Sequence, residues 1–243
     1  MNQHYYPPIG TISTVFKEKF GVPRQSGMVS EARAILKLNN IPEYKRALSH
    51  LEDFSHVWII FVFHKHTEKK WKATIKPPRV DAPSEIGVFA SRSPHRPNPI
   101  GMSAVKLEHI DWNAKGGVEI HLSGVDFLNE TPVLDIKPYL PYTDRILDAH
   151  GGWAEGEIPK YSVSFSEESR LIIDSYSRDN HPGFEKLIFE ILQWDPRPTS
   201  QKSTHPIEDK ASDGLLFAFR CVDFDVKWKI LNHGIYVLDL QKI

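Results

Sequence analysis

Between Gly87 and Gly101 the chain reads Gly-Val-Phe-Ala-Ser-Arg-Ser-Pro-His-Arg-Pro-Asn-Pro-Ile-Gly, and its prolines leave that stretch little conformational choice. Pro94, Pro97 and Pro99 each fix φ near about −65° and remove a backbone donor. Each also pushes the residue before it (Ser93, Arg96 and Asn98) out of the helical region. The segment can be neither helix nor central strand, so a stiff, extended loop is expected. It presents Arg92, His95, Arg96 and Asn98 at little further entropic cost. On the residues alone, two readings stand side by side: a rigid surface turn with solvated arginines, or a binding loop.

The sequence around the loop is written in short strands. Ile9 to Val15 and Ala34 to Leu38 are rich in β-branched and aliphatic residues, with a short helix or turn expected over Pro42 to Leu51. Val57-Trp58-Ile59-Ile60-Phe61-Val62-Phe63 has no polar residue on either face and predicts a strand buried on both sides. Lys76 to Pro83 reads as a proline-rich connector. Gly87 to Ala90 reads as a strand feeding the loop, and Met102 to Ile110 as one leaving it. A hairpin turn at Asn113 to Gly117 precedes alternating Val118, Ile120 and Leu122; Val133 to Lys137 follows and stops at Pro138. Short strands without a long helix predict a mainly β fold, an N-terminal β-barrel over residues 1–145.

Residues 146–164 read as a linker, and the period then changes. Ser166 can cap a helix that carries Leu171, Ile172 and Tyr176. A second helix opens near His181-Pro182, with Phe184, Leu187, Ile188, Ile191 and Leu192 at helical spacing, and Pro196 ends it. Thr199 to Gly214 is polar and expected to be mobile. Val222 to Ile230 alternates, and an Asn232-His233-Gly234 turn leads to a last strand. Residues 165–243 therefore predict a small α+β domain of two helices and a hairpin.

Composition limits the function classes. Thirty basic residues face 31 acidic ones, so the whole molecule has no net attraction for nucleic acid and any basic surface must be local. Cys221 is the only cysteine, which excludes an internal disulfide and a cysteine-based zinc site. His64 and His66 share a face of an extended strand, but no third ligand stands at useful spacing, so no metal is expected. No apolar run is long enough to cross a bilayer, and Met1 to Pro8 shows no signal-peptide pattern. A soluble, cytoplasmic protein is the expectation.

Ser91-Arg92-Ser93-Pro94-His95-Arg96-Pro97-Asn98-Pro99-Ile100-Gly101-Met102 resembles the signature of the TsaA-like family. Val22-Pro23-Arg24-Gln25, Phe54-Ser55-His56-Val57-Trp58, Asp135-Ile136-Lys137-Pro138-Tyr139-Leu140-Pro141 and Asp195-Pro196-Arg197-Pro198 are similar to that family's other blocks, in the same order. The bacterial members are methyltransferases that use S-adenosylmethionine to methylate N6 of threonylcarbamoyl-adenosine beside the tRNA anticodon. The resemblance implies that cofactor, the tRNA anticodon loop as partner, and a homodimer. No Gly-x-Gly-x-x-Gly follows a strand, so a Rossmann arrangement is not expected.

By that resemblance Pro23, Arg24, Gln25, His64 and Lys65 line the cofactor pocket. Arg92 is suited to the donor's carboxylate, because a guanidinium fork matches a carboxylate well. Main-chain groups around Leu122 and in the Asn129-Glu130-Thr131-Pro132 turn would read the adenine. His95, Arg96, Lys137 and Arg197 are candidates for tRNA contacts, or else solvated surface charges. Asn98 and Asp135 are candidate hydrogen-bond acceptors for the reacting amine. There are two departures from the family pattern. Glu130 stands where relatives tend to have glycine before Thr-Pro, so a positive φ there would be strained. Thr199 and Ser200 stand where relatives often place an aromatic residue. The rival functions are a non-catalytic module that binds S-adenosylmethionine or a nucleotide, and a methyltransferase acting on a small molecule.

Overall fold

The computed structural model describes residues 4–67, 70–79 and 82–243. Met1 to Gln3 lie outside the described residues, as do Val80 and Asp81 of the expected Lys76–Pro83 connector.

Six strands close the N-terminal half into a barrel: β1 (Gly10–Thr14), β2 (Arg33–Leu38), β3 (His56–Val62), β6 (Ile100–Asp111), β7 (Glu119–Ser123) and β8 (Pro132–Pro138). Helix α1 (Pro42–Ala47) links β2 to β3, and a two-stranded ribbon, β4 (Thr74–Ile75) with β5 (Ile86–Gly87), lies between β3 and β6. The barrel order is β1-β2-β7-β6-β3-β8. Alternate side chains fill the interior, among them Ile12, Leu36, Ile59, Ile120 and Leu122, all at most 1% exposed.

Two local expectations are corrected. Strand β3 buries Val57, Ile59 and Phe61 inside, but Trp58, Ile60 and Val62 on its outer face stay half-exposed. An apolar run without alternation cannot reveal that a barrel wall has only one interior face. Val88–Ala90 forms a short 3-10 turn rather than a strand, and Phe89 is 75% exposed. The approach of the loop to β3 also explains Gly101. A Cβ there would meet the Phe61 ring at 2.3 Å, so no side chain fits beneath that buried aromatic.

The C-terminal half is a four-stranded sheet flanked by helices. Short α2 (Pro141–Asp144) leaves the barrel; β9 (Val163–Phe165) then opens the second half. Helix α3 (Glu167–Asp179) starts where Ser166 Oγ accepts the Ser169 N–H at 3.0 Å, an N-cap. Helix α4 (Phe184–Leu192) buries Phe184, Leu187, Ile188, Ile191 and Leu192. The sheet order is β10 (Leu216–Cys221), β11 (Phe224–Leu231), β12 (Gly234–Lys242), β9, with β9 parallel to β12. The expected hairpin is therefore the centre of a larger sheet. Strand β10 goes unnoticed in the sequence because only one of its faces alternates cleanly, and Leu216 remains 70% exposed. The polar stretch after Pro198 also holds structure: α5 (Thr199–Thr204), then Ile207 at 1% exposure.

Candidate functional site

Every neighbouring pair in the barrel is antiparallel. The C-terminal ends of β1, β3 and β7 and the N-terminal ends of β2, β6 and β8 must therefore share one rim. Onto that rim the topology puts three connections: residues 15–32, 124–131, and the long β3–β6 connection, of which residues 63–67 and 88–99 are the two ends. The expected cofactor residues Pro23, Arg24, Gln25, His64, Lys65, Arg92, Asn129, Glu130 and Thr131, with Pro132 at the start of β8, all stand there. They come from distant parts of the chain, and antiparallel closure alone brings them together.

The proline loop is held by its own polar atoms. Three missing N–H donors leave carbonyls to be satisfied, and Arg96 folds back to do so, donating from Nη1 to Ser91 O at 2.9 Å and Ser93 O at 3.4 Å. Ser91 Oγ donates to Val88 O at 2.8 Å, and the Ser93 and His95 N–H groups donate to Ser91 Oγ and Ser93 Oγ. Pro99 O accepts the Phe63 N–H at 2.7 Å, which pins the loop to the end of β3. Arg92 is different: its Nη1 donates to the neutral Gln25 Oε1 at 2.5 Å, and the side chain is otherwise exposed toward the cleft. A guanidinium braced by an amide instead of a carboxylate keeps its charge available.

A cleft of about 1900 Å³ opens between this rim and the C-terminal half. Arg24, Gln25, Arg92 and His95 line one side; Trp194, Arg197, Lys202 and Tyr161 line the other. Its walls carry seven Lys and Arg against four Asp and Glu, an excess absent from the chain as a whole. Phe89, Trp153 and Trp194 add aromatic surface. Burial pushes the Lys202 amine down to about 8, against the pull of Asp195 and with help from the nearby Arg24 and Arg197.

The loop after β1 is also where the two halves are joined. Arg24 donates to Pro78 O at 2.5 Å and to Arg197 O at 2.7 Å. Trp194 Nε1 donates to Met28 O at 2.8 Å, Glu190 accepts from Ser30 Oγ and the Glu31 N–H, and Lys186 pairs with Glu31 at 3.0 Å. The segment that carries Pro23 to Gln25 thus cannot move without the C-terminal half.

Other expected residues already have partners within the barrel. Leu122 is a core side chain, and its backbone pairs with Ala34 on one side and Leu107 on the other. In the 129–132 turn the polar groups already serve the barrel: Asn129 Oδ1 accepts the Thr14 N–H, and the Asn129 and Glu130 N–H groups donate to Phe16 O and Ile12 O. Glu130 does adopt φ +64°, the strained left-handed backbone. It lies near His64, whose Nε2 is buried without a hydrogen-bond partner. Burial and the neighbouring Lys65 lower the His64 pKa, with Glu130 opposing them.

Asp135 and Lys137 face outward on β8 and pair with each other at 2.9 Å, opposite Ile60 and Trp58 of β3. They belong to the outer wall rather than the cleft. Asn98 sits on the rim loop with its side chain exposed and its carbonyl accepting the Ile100 N–H. Arg96 is a brace. Arg197, expected to meet RNA, is 3% exposed. Its guanidinium donates to both Asp195 oxygens at 2.8 Å and to His205 O at 2.9 Å, and lies over Phe217. The acid two residues before it claims it, so its role is structural. Of the four expected RNA contacts, only His95 lines the cleft as an accessible side chain. Lys72, Lys202, Trp153 and Trp194 also line the cleft, and no sequence motif marks them.

The model of the tRNA-methyltransferase O N-terminal domain matches residues 11–145, and that of the TrmO C-terminal domain matches 158–243. The tRNA (adenine(37)-N6)-methyltransferase of Escherichia coli K12 is 37% identical over 242 residues, 99% of each chain. A Pseudomonas aeruginosa protein whose name proposes an S-adenosylmethionine-dependent methyltransferase is 39% identical over 93% of this chain and 92% of its own. A crystal structure of TrmO from Pseudomonas aeruginosa superposes with a TM-score of 0.77 at 36% identity, covering 100% of this chain and 99% of that one.

Proposed function

The chain belongs to the tRNA-methyltransferase O family, and on that premise we propose that its barrel rim seats the methyl donor and the adjoining cleft receives the RNA. The protein is an S-adenosylmethionine-dependent tRNA methyltransferase acting on N6 of adenosine 37. Its acceptor is threonylcarbamoyl-adenosine in the anticodon loop, and its place of work is the cytoplasm.

The observation that carries this reading is a charged guanidinium, Arg92, held by a neutral amide at the mouth of a cationic, aromatic cleft. S-adenosylmethionine supplies a methyl group on a sulfonium and a carboxylate at its other end. Arg92 binds the carboxylate, and Pro23 to Gln25, His64 and Lys65 form the surrounding wall, with the Asn129–Pro132 turn closing it. Lys72, Lys76 and Lys202 draw phosphates into the cleft, while Trp153 and Phe89 offer faces on which unstacked bases rest. Because both halves grip the same loop, donor and acceptor are held in one fixed frame. Orientation of that kind is worth up to roughly 7–11 kcal/mol of barrier. Asn98, exposed on the same rim loop, is the hydrogen-bond acceptor for the amine's proton.

A second copy of the chain covers the outer wall formed by β3 and β6. There Ile100 is 44% and Met102 58% exposed, beside the half-exposed Trp58, Ile60 and Val62. A contiguous apolar strip of this kind is costly to leave in water. Incubation with a labelled methyl donor and bulk tRNA tests the assignment. Label at adenosine 37, lost in Arg92→Ala, is expected. Donor binding without label in RNA would favour a sensing module, and label outside the RNA fraction a small-molecule enzyme.

A further inference from the structure

Beside Arg92 the rim carries an acid that no motif contains. Asp126 stands between Val125 and Phe127, both wholly buried, so its backbone position is fixed by packing on either side. Val125 N–H donates to Ala32 O and Gly124 O accepts the Gly27 N–H, which ties the segment to the loop carrying Gln25. The Asp126 carboxylate looks toward Ser103 of β6, the Ser26 backbone N–H and the Arg92 charge. Its Oδ1 is buried and has no hydrogen-bond partner. A purely structural acid would have both oxygens satisfied, since a buried polar atom left unpaired is costly. This one is a donor short, and it faces the Arg92 charge.

Resting on the reading of Arg92 given above, we propose that Asp126 is the second pole of that seat and binds the α-ammonium of the donor's amino-acid end. The ammonium and the carboxylate of an amino acid sit on the same carbon. The groups that recognise them must be neighbours of opposite sign, as Asp126 and Arg92 are. Burial raises the pKa of the Asp126 carboxyl, with Ser103, its own backbone and that of Ser26, and Arg92 opposing it. An ammonium arriving at the site restores the charged form. No covalent bond forms or breaks, and any proton the carboxyl gives up passes to solvent; the contact is recognition only.

Calorimetric titration of the wild type, Asp126→Asn and Arg92→Ala with S-adenosylhomocysteine and with its deaminated analogue tests this. Wild type is expected to bind the parent compound about tenfold or more tightly than the analogue. Asp126→Asn should lose that preference while keeping its affinity for the analogue. Asp126→Ser serves as a second uncharged variant should the amide not fold. The proposal is overturned if the wild type shows no preference, or if the variant keeps the preference or weakens both ligands by the same factor. Arg92→Ala separates the two claims. If it loses affinity while Asp126→Asn does not, only the ammonium assignment fails; if it binds as wild type does, the seat itself is wrong.

Discussion

Two proline-flanked arginines sit in the two halves of the molecule, and their fates are opposite. Arg92, in Ser-Arg-Ser-Pro, is exposed toward the cleft with a neutral amide as its partner. Arg197, in Asp-Pro-Arg-Pro, is buried under Phe217 and Trp228 and bound through two nitrogens to Asp195. Proline stiffens both loops. What differs is the acid two residues away: Asp195 captures Arg197, whereas no acid stands between Ile86 and Glu108 to capture Arg92. The barrel half keeps its charge for a ligand, and the C-terminal half uses its charge to lock a surface that the barrel then grips.

The largest expected effect falls on the locked half. Arg197→Met leaves Asp195 buried at 2% exposure without its partner, and breaking such a pair costs about 3–5 kcal/mol. Urea unfolding should show that loss. Cys221, wholly buried with its thiol pushed up to about 12, should react with thiol reagents sooner than in the wild type. Arg92→Ala should do the reverse. It is expected to change stability by no more than about 0.5 kcal/mol while weakening donor binding about tenfold or more, seen by paired melting and calorimetry. Equal stability losses in the two variants would erase the contrast.

A smaller effect belongs to the shared cleft. Lys202 is cationic below about 8 and neutral above it, so its attraction for phosphate is present at lower pH and lost as pH rises through that value. The tRNA affinity of the wild type should fall across that range by a few-fold. Lys202→Arg, which stays charged, should flatten the profile. The smallest effect is local to the barrel. Glu130→Gly relieves a left-handed residue at φ +64°, and after the extra unfolded-state freedom of glycine a net gain of roughly 0.5 kcal/mol is expected in melting experiments.

What could be read from the chain alone follows the same division. The proline loop, most strand positions and the Ser166 cap were legible, because each depends on local backbone chemistry. The strain at Glu130 was also legible, since the resemblance implies a glycine position there, and the turn does need positive φ. The shared rim was not, because it exists only once the β1-β2-β7-β6-β3-β8 order has closed. Arg96 and Arg197 looked like surface cations because their partners, the Ser91 carbonyl and the folded-back Asp195, are matters of loop geometry. Asp126 is silent in the sequence for a related reason: an acid between Val125 and Phe127 has no motif, and its significance lies in an unpaired oxygen.

Hydrogen–deuterium exchange with and without S-adenosylhomocysteine tests the central claim most directly. The four rim segments, residues 15–32, 63–67, 88–99 and 124–131, should gain protection together, while helix α3 and strands β10 to β12 stay unchanged. Protection centred on α3 and α4, with the proline loop exchanging as before, would contradict it.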